Sequence, residues 1–209
     1  DAQESRGLGD VYKRQPYEFE KGKLIVREMT DLLVLDLVEK HLVTDQMVLT
    51  IGYDIDNLTD PKRRNAYHGE VTIDRYGRRV PKHAHGTINL KNQTSSTKQI
   101  MDAVMELYDR IVNPNLLIRR IYVVACRLSD ESSAKQEDTF EQLDLFTDYA
   151  ALEQKKQAEK VKKEKERKLQ EAVLSVKKKY GKNAMLKGMN LQEGATSVER
   201  NRQIGGHKA

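Results

Sequence analysis

With 209 residues, 33% of them charged, 6% aromatic and no tryptophan, the chain has apolar material for one packed domain of ordinary size and a long charged extension. A net charge of +5 is too small to establish nucleic-acid binding, so the placement of the cations has to decide. The single cysteine, Cys126, excludes an internal disulfide and points to a reducing, cytoplasmic setting, and no apolar run nears the roughly 20 residues that cross a bilayer.

Residues 1–15, with Ser5-Arg-Gly-Leu-Gly-Asp-Val-Tyr-Lys-Arg14, lack the apolar stretch of a secretory signal and read as a leader foreign to the native protein. They are set aside from fold reasoning, and the native polypeptide is expected to begin upstream. Residues 18–42 follow a helical period. Ile25, Met29, Leu32 and Leu33 form one stripe, which Leu35, Leu37 and Val38 widen. Residues 46–53 alternate, with Met47, Leu49, Ile51 and Tyr53 on one face, as in a strand.

Residues 54–81 read as a long polar connection with turn signals at Asp60-Pro61 and Tyr76-Gly77, and with room for a short strand at Val71-Thr72-Ile73. Lys62, Arg63, Arg64, Arg75, Arg78 and Arg79 make it basic. A strand over residues 82–90 places His83, His85, Thr87 and Asn89 on one face. Thr94, Ser95 and Ser96 offer capping hydroxyls to a second helix striped by Ile100, Val104, Leu107 and Ile111, and Asn113-Pro114-Asn115 ends it. Residues 117–128 are apolar on both faces and read as a central strand, in which Arg119 and Arg120 fall on opposite sides.

The character changes after Leu128. Residues 129–141 are polar, acidic and linker-like, and residues 149–180 form a Lys- and Glu-rich helix with only a thin apolar stripe. Residues 183–209 are polar with repeated glycine. The resulting fold class is α+β, a small sheet backed by two helices, followed by a flexible linker and a charged helical tail. Two helices on one face leave the other free, which suits a grip on a phosphate backbone. The divisions expected are 1–15 leader, 16–130 folded domain, 131–148 linker and 149–209 basic helical or disordered tail.

Several stretches resemble the little-finger domain of Y-family translesion DNA polymerases, in the UmuC-like branch found in many Gram-positive bacteria. They are Lys23-Leu-Ile-Val-Arg-Glu-Met-Thr-Asp-Leu-Leu33, Val43-Thr-Asp-Gln-Met-Val-Leu-Thr-Ile-Gly-Tyr-Asp54, Arg75-Tyr-Gly-Arg-Arg-Val-Pro-Lys-His-Ala-His-Gly86 and Arg119-Arg-Ile-Tyr-Val-Val124. The closing segments Leu186-Lys-Gly-Met-Asn-Leu-Gln-Glu-Gly-Ala195 and Glu199-Arg-Asn-Arg-Gln-Ile-Gly-Gly-His207 add to the likeness. The resemblance implies a domain that straddles primer–template duplex DNA and serves DNA repair and damage tolerance. It places the catalytic palm upstream, with the Mg2+ ions that two-metal phosphoryl transfer needs. This chain is therefore expected to hold no catalytic residue, no metal, no other cofactor and no small-molecule substrate, and to be inactive alone. Ser129-Asp130-Glu131 superficially matches the palm's acidic pair, but no carboxylate-bearing strand precedes it, so it reads as linker.

On this reading the DNA candidates are Arg75, Arg78, Arg79, Lys82, His83, His85 and Thr87, with Ser95 and Ser96 at a helix N-terminus that could also face a phosphate. Without the resemblance, a solvated charged loop accounts for the same cations. His83 and His85 could begin a metal site, but no third ligand follows at plausible spacing. Gln142-Leu-Asp-Leu-Phe146 resembles the peptide by which bacterial polymerases dock on the sliding clamp. In it Leu143 and Asp144 space the apolar anchors Leu145 and Phe146 from the polar Gln142. The alternative is a stand-alone, non-catalytic nucleic-acid-binding module; such sheets usually carry aromatic residues for base stacking, and the row from His83 to Asn89 has none.

Overall fold

A computed structural model of the chain describes residues 7–8, 16–134, 149–204 and 207–208. Its centre is an antiparallel sheet in the order β1–β6–β2–β5, from β1 (Gly7–Leu8), β2 (Leu42–Tyr53), β5 (Ala84–Thr94) and β6 (Ile118–Cys126). Helices α1 (Phe19–Glu39) and α4 (Thr97–Ile111) pack on one face. Met47, Leu49, Ile51 and Tyr53 of β2 turn toward them together with Ile121, Val123 and Ala125 of β6, as the alternation predicts.

Helix α1 meets α4 closely at Gly22, where a Cβ would lie 2.5 Å from Ile118 Cδ1 and 2.9 Å from the Tyr108 hydroxyl. The buried Tyr108 hydroxyl donates to the Phe19 carbonyl at 2.7 Å, and the Phe19 ring lies 4.9 Å from that of Tyr108. Helix α1 stops at Glu39, three residues short of the periodic pattern. His41 takes a left-handed conformation, φ 53°, that turns the chain into β2. Strand β2 then starts four residues earlier than its alternation indicates. A bulge between Thr44 and Gln46 buries Val43 and Thr44 in succession and breaks the period there.

The connection read as a loop over residues 54–81 is largely structured. It holds α2 (Asp56–Thr59), α3 (Pro61–Ala66) and a hairpin of β3 (Val71–Ile73) and β4 (Arg79–Pro81). Asp60 caps α3 by accepting from the amides of Lys62 at 2.9 Å and Arg63 at 3.0 Å, with Pro61 in the first turn. The Asp-Pro pair read as a turn is thus a helix start. Buried Asn57 fixes α2 to the sheet through the Asp54 and Leu117 carbonyls and the Leu117 amide.

Three more expectations differ. Two residues of the segment set aside as a leader form β1, Gly7 opposite Val124 and Leu8 opposite Val123, because the open side of β6 offers unpaired backbone groups to any nearby chain. At the start of the stretch 129–141 that reads as linker-like, β7 (Ser129–Asp130) pairs with Val43 and Leu42. The tail is not a free extension over its described part. Helix α5 (Tyr149–Tyr180), a 3-10 turn at Gly188–Leu191 and α6 (Ser197–Arg200) follow in order, and all three contact α1. No helix of the described residues is long and apolar enough to cross a membrane.

Candidate nucleic-acid interface

The face of the sheet away from α1 and α4 is open. Thr50 of β2 stands opposite His85 of β5 and Tyr122 of β6, so the three side chains share that face, and Thr50 Oγ1 lies 2.8 Å from His85 Nδ1. The same cross-strand logic adds Val48 with Thr87 and Val124, and Gln46 with Asn89, whose side chains hydrogen-bond at 2.9 Å. His85, Thr87 and Asn89 are exposed, as the sequence pattern requires. Tyr122, 40% exposed, is an aromatic on this face that the His83 to Asn89 row alone does not reveal. Its signal is its place two residues before Val124 in a strand buried on one face only.

Arg119 and Arg120 correct the reading of β6. The register shifts between Gly52 and Tyr53, which pair with Arg120 and Ile118, so Arg119 is an extra residue. Ile118 and Ile121 are both buried, and both arginines stay out of the core. Arg119 meets Asp54 at 3.5 Å, and Arg120 reaches Asp74 at 3.8 Å while lying over Gly52, whose absent side chain leaves it room.

Asp74 organises the β3–β4 hairpin beside this end of the open face. Its Oδ1 accepts from the amides of Tyr76 at 2.9 Å and Arg78 at 3.0 Å, and its Oδ2 from Arg78 Nε at 3.0 Å and Nη2 at 2.7 Å. Gly77, at φ 76°, makes the tight return. The Arg78 guanidinium first, and then the backbone amides, hold the Asp74 carboxyl at about 2. A carboxyl whose folded value lies below its ordinary 3.8 adds stability above that value and loses it as the pH falls toward about 2. The hairpin tip is accordingly expected to hold through mildly acidic solution. A carboxyl NMR titration should place the Asp74 midpoint near 2, and Arg78→Ala should move it back toward 3.8. A wild-type midpoint near 3.8 would contradict this geometry.

The expected DNA residues divide by their partners. Arg78 is committed to Asp74, and Lys82 to Glu70 at 2.7 Å, which raises the Lys82 ammonium above its ordinary value. Arg75, Arg79 and His83 are exposed, and the chain runs from Arg79 straight into the His83 and His85 segment. The His83 and His85 rings stand 6.5 Å apart, edge to face, and among the described residues no cluster of three or more His, Cys, Asp or Glu is poised to hold a metal.

Ser95 and Ser96 do not join this group. Ser96 caps α4 by accepting from the Gln99 amide, as predicted, but its hydroxyl also donates to Glu166 of α5 at 2.7 Å. Glu166 accepts from the Lys98 amide at 3.0 Å as well, and Gln170 donates to the Ser95 carbonyl and Thr97 Oγ1. A carboxylate of the chain itself thus occupies the positive end of α4, the place that could also face a phosphate. The five-residue motif Gln142, Leu143, Asp144, Leu145 and Phe146 lies outside the described residues.

A family model described as the impB/mucB/samB family C-terminal domain matches residues 10–145, taking in strands β2, β5 and β6 of the sheet, both packed helices and the last part of the segment read as a leader. No curated protein matches the chain. The match spans more than half of the sequence and supports a UmuC-like Y-family polymerase C-terminal domain. The chain therefore belongs to the impB/mucB/samB family through its C-terminal domain, for which the family implies DNA binding as part of a polymerase.

Proposed function

We propose that this domain grips primer–template duplex DNA without reading its sequence, and that residues 142–146 tether the same polypeptide to the bacterial sliding clamp during translesion synthesis in the cytoplasm. The observation that carries the DNA reading is the continuous strip from the β3–β4 tip through Arg79, His83 and His85 to Thr87. Its cations Arg75 and Arg79 are exposed beside an open, polar sheet face. Guanidinium groups neutralise phosphates and release counterions whatever the base sequence, as copying an arbitrary template requires. Lys82 and Arg78 border the strip but are engaged by Glu70 and Asp74, so they support the hairpin first. The closing segments at 186–195 and 199–207 support the Gram-positive-type branch. The Gln-Leu-Asp-Leu-Phe sequence supports the clamp, since two apolar anchors and one polar rim residue suffice for a peptide in a groove.

The test is salt dependence. Arg75→Ala with Arg79→Ala is expected to weaken duplex binding and to lower the slope of log affinity against log salt by about two, near 0.9 for each phosphate no longer neutralised. Fluorescence anisotropy at several salt concentrations measures it. An unchanged slope would remove the hairpin from the interface.

A further inference from the structure

The β3–β4 tip carries apolar surface that phosphate binding does not use. Ile73 is 74% exposed and Tyr76 62%, both large apolar side chains held out in solvent. Both sit on a hairpin clamped from beneath by Asp74, whose side chain is nearly buried. The guanidinium carbons of Arg75 and Arg78 lie 4.8 and 5.1 Å from the Tyr76 ring centroid, and Arg75 Nη2 donates to the Tyr76 hydroxyl at 2.6 Å. A ring that keeps 62% of its surface open is not sandwiched between them. Two backbone amides, an ion pair in which two guanidinium nitrogens meet one carboxylate oxygen, and Gly77 therefore hold an aromatic ring out in solvent with cations around it.

We infer that Tyr76 is a base-stacking contact, and that its ligand is an unstacked nucleobase where a DNA duplex passes into single strand. This rests on the DNA-binding reading above and deepens it. Within continuous duplex each base face is covered by its neighbour, so an exposed ring finds a free π-face only where the stack ends. The cations choose the ligand: Arg75 and Arg79 meet the flanking phosphates of the same strand, whereas an apolar protein groove would leave them desolvated without partners. The contact is blind to base identity, because every base offers a π-face.

Two probes test it, a primer–template with a single-stranded overhang and a blunt duplex of the same paired length. Tyr76→Ala should weaken overhang binding about tenfold, with blunt-duplex affinity within about twofold and the salt slope unchanged, since stacking releases no counterions. Tyr76→Phe should bind both probes as wild type does. An Asp74 midpoint unchanged from wild type in the carboxyl titration is the check that the hairpin survives the substitution. Equal loss on both probes, no loss on either, or a lowered slope each overturns the inference. If wild type binds neither probe, the DNA reading itself falls. If it binds both and only the Arg75→Ala, Arg79→Ala variant changes, the DNA reading stands and the stacking role is lost. Loss of a protein partner in Tyr76→Ala with DNA binding intact assigns the tip to protein and overturns it too.

Discussion

Leu145→Ala combined with Phe146→Ala is expected to weaken binding to the bacterial sliding clamp by about a hundredfold or more, to below detection in a titration calorimeter. A short peptide engages a groove through few side chains, so its own affinity is modest, roughly micromolar, and nearly all of it rests on the apolar anchors. Gln142→Ala should cost less, because a polar group at the rim exchanges one set of hydrogen bonds for water's. DNA binding by the double variant should be unchanged, with the Arg75 and Arg79 salt slope as the internal reference. Weak clamp and DNA contacts joined in one polypeptide reinforce each other through effective concentration. The variant's defect should therefore be larger on DNA loaded with clamp than on bare DNA. An unaltered clamp affinity makes the five-residue likeness accidental, and a lowered melting temperature makes Leu145 and Phe146 packing residues instead.

The division between what the residues announce and what they hide has a physical basis. Met47, Leu49 and Ile51 reveal their strand because a half-buried sheet repeats every two residues, and Ser96 reveals a helix start because its hydroxyl meets a local amide. Both signals are short in sequence. Bulges are not legible in this way: one added residue at Arg119 leaves composition untouched, yet it brings out of the core two arginines that strict alternation puts on opposite faces. Asp60-Pro61 was legible but ambiguous, since the same pair opens a turn or caps a helix, and only the following Lys62 and Arg63 amides decide. Of the DNA candidates, the cations were visible but their commitments were not. Arg75 and Arg78 look alike in the sequence, while Asp74 claims one of them. The engagement of Ser96 by Glu166, 70 residues away, and of Glu28 by Thr196, 168 residues away, leaves no local trace.

Glu28→Ala is expected to free the chain after α5 from α1, with amide exchange at Thr196 and Ser197 rising by about a hundredfold, a change of roughly 3 kcal/mol in local opening. Glu28 lies wholly buried in the middle of a helix, where a lone carboxylate would be costly. Its Oε2 accepts from the Thr196 amide at 2.8 Å, the Thr196 hydroxyl at 3.1 Å and the Ser197 amide at 3.2 Å, and its Oε1 accepts from Asn190 Nδ2 at 3.0 Å. Lys187 pairs with Asp31 one turn further along the same face of α1. Hydrogen bonds to a charged acceptor contribute about 1.5 to 3 kcal/mol each, but these four share one carboxylate and are not additive. Once released, the tail donors recover water, so the loss should stay local: early proteolytic cleavage near Thr196, with the sheet core melting within a few degrees of wild type. Asp31→Asn should produce a weaker version of the same change, because it weakens one ion pair to the half-exposed Lys187 rather than removing an acceptor of four hydrogen bonds. Unchanged exchange at Thr196 in Glu28→Ala would mean that other contacts hold the tail. Collapse of the whole domain would mean that docked tail and sheet core form one cooperative unit, with α1 unable to stand without its cover.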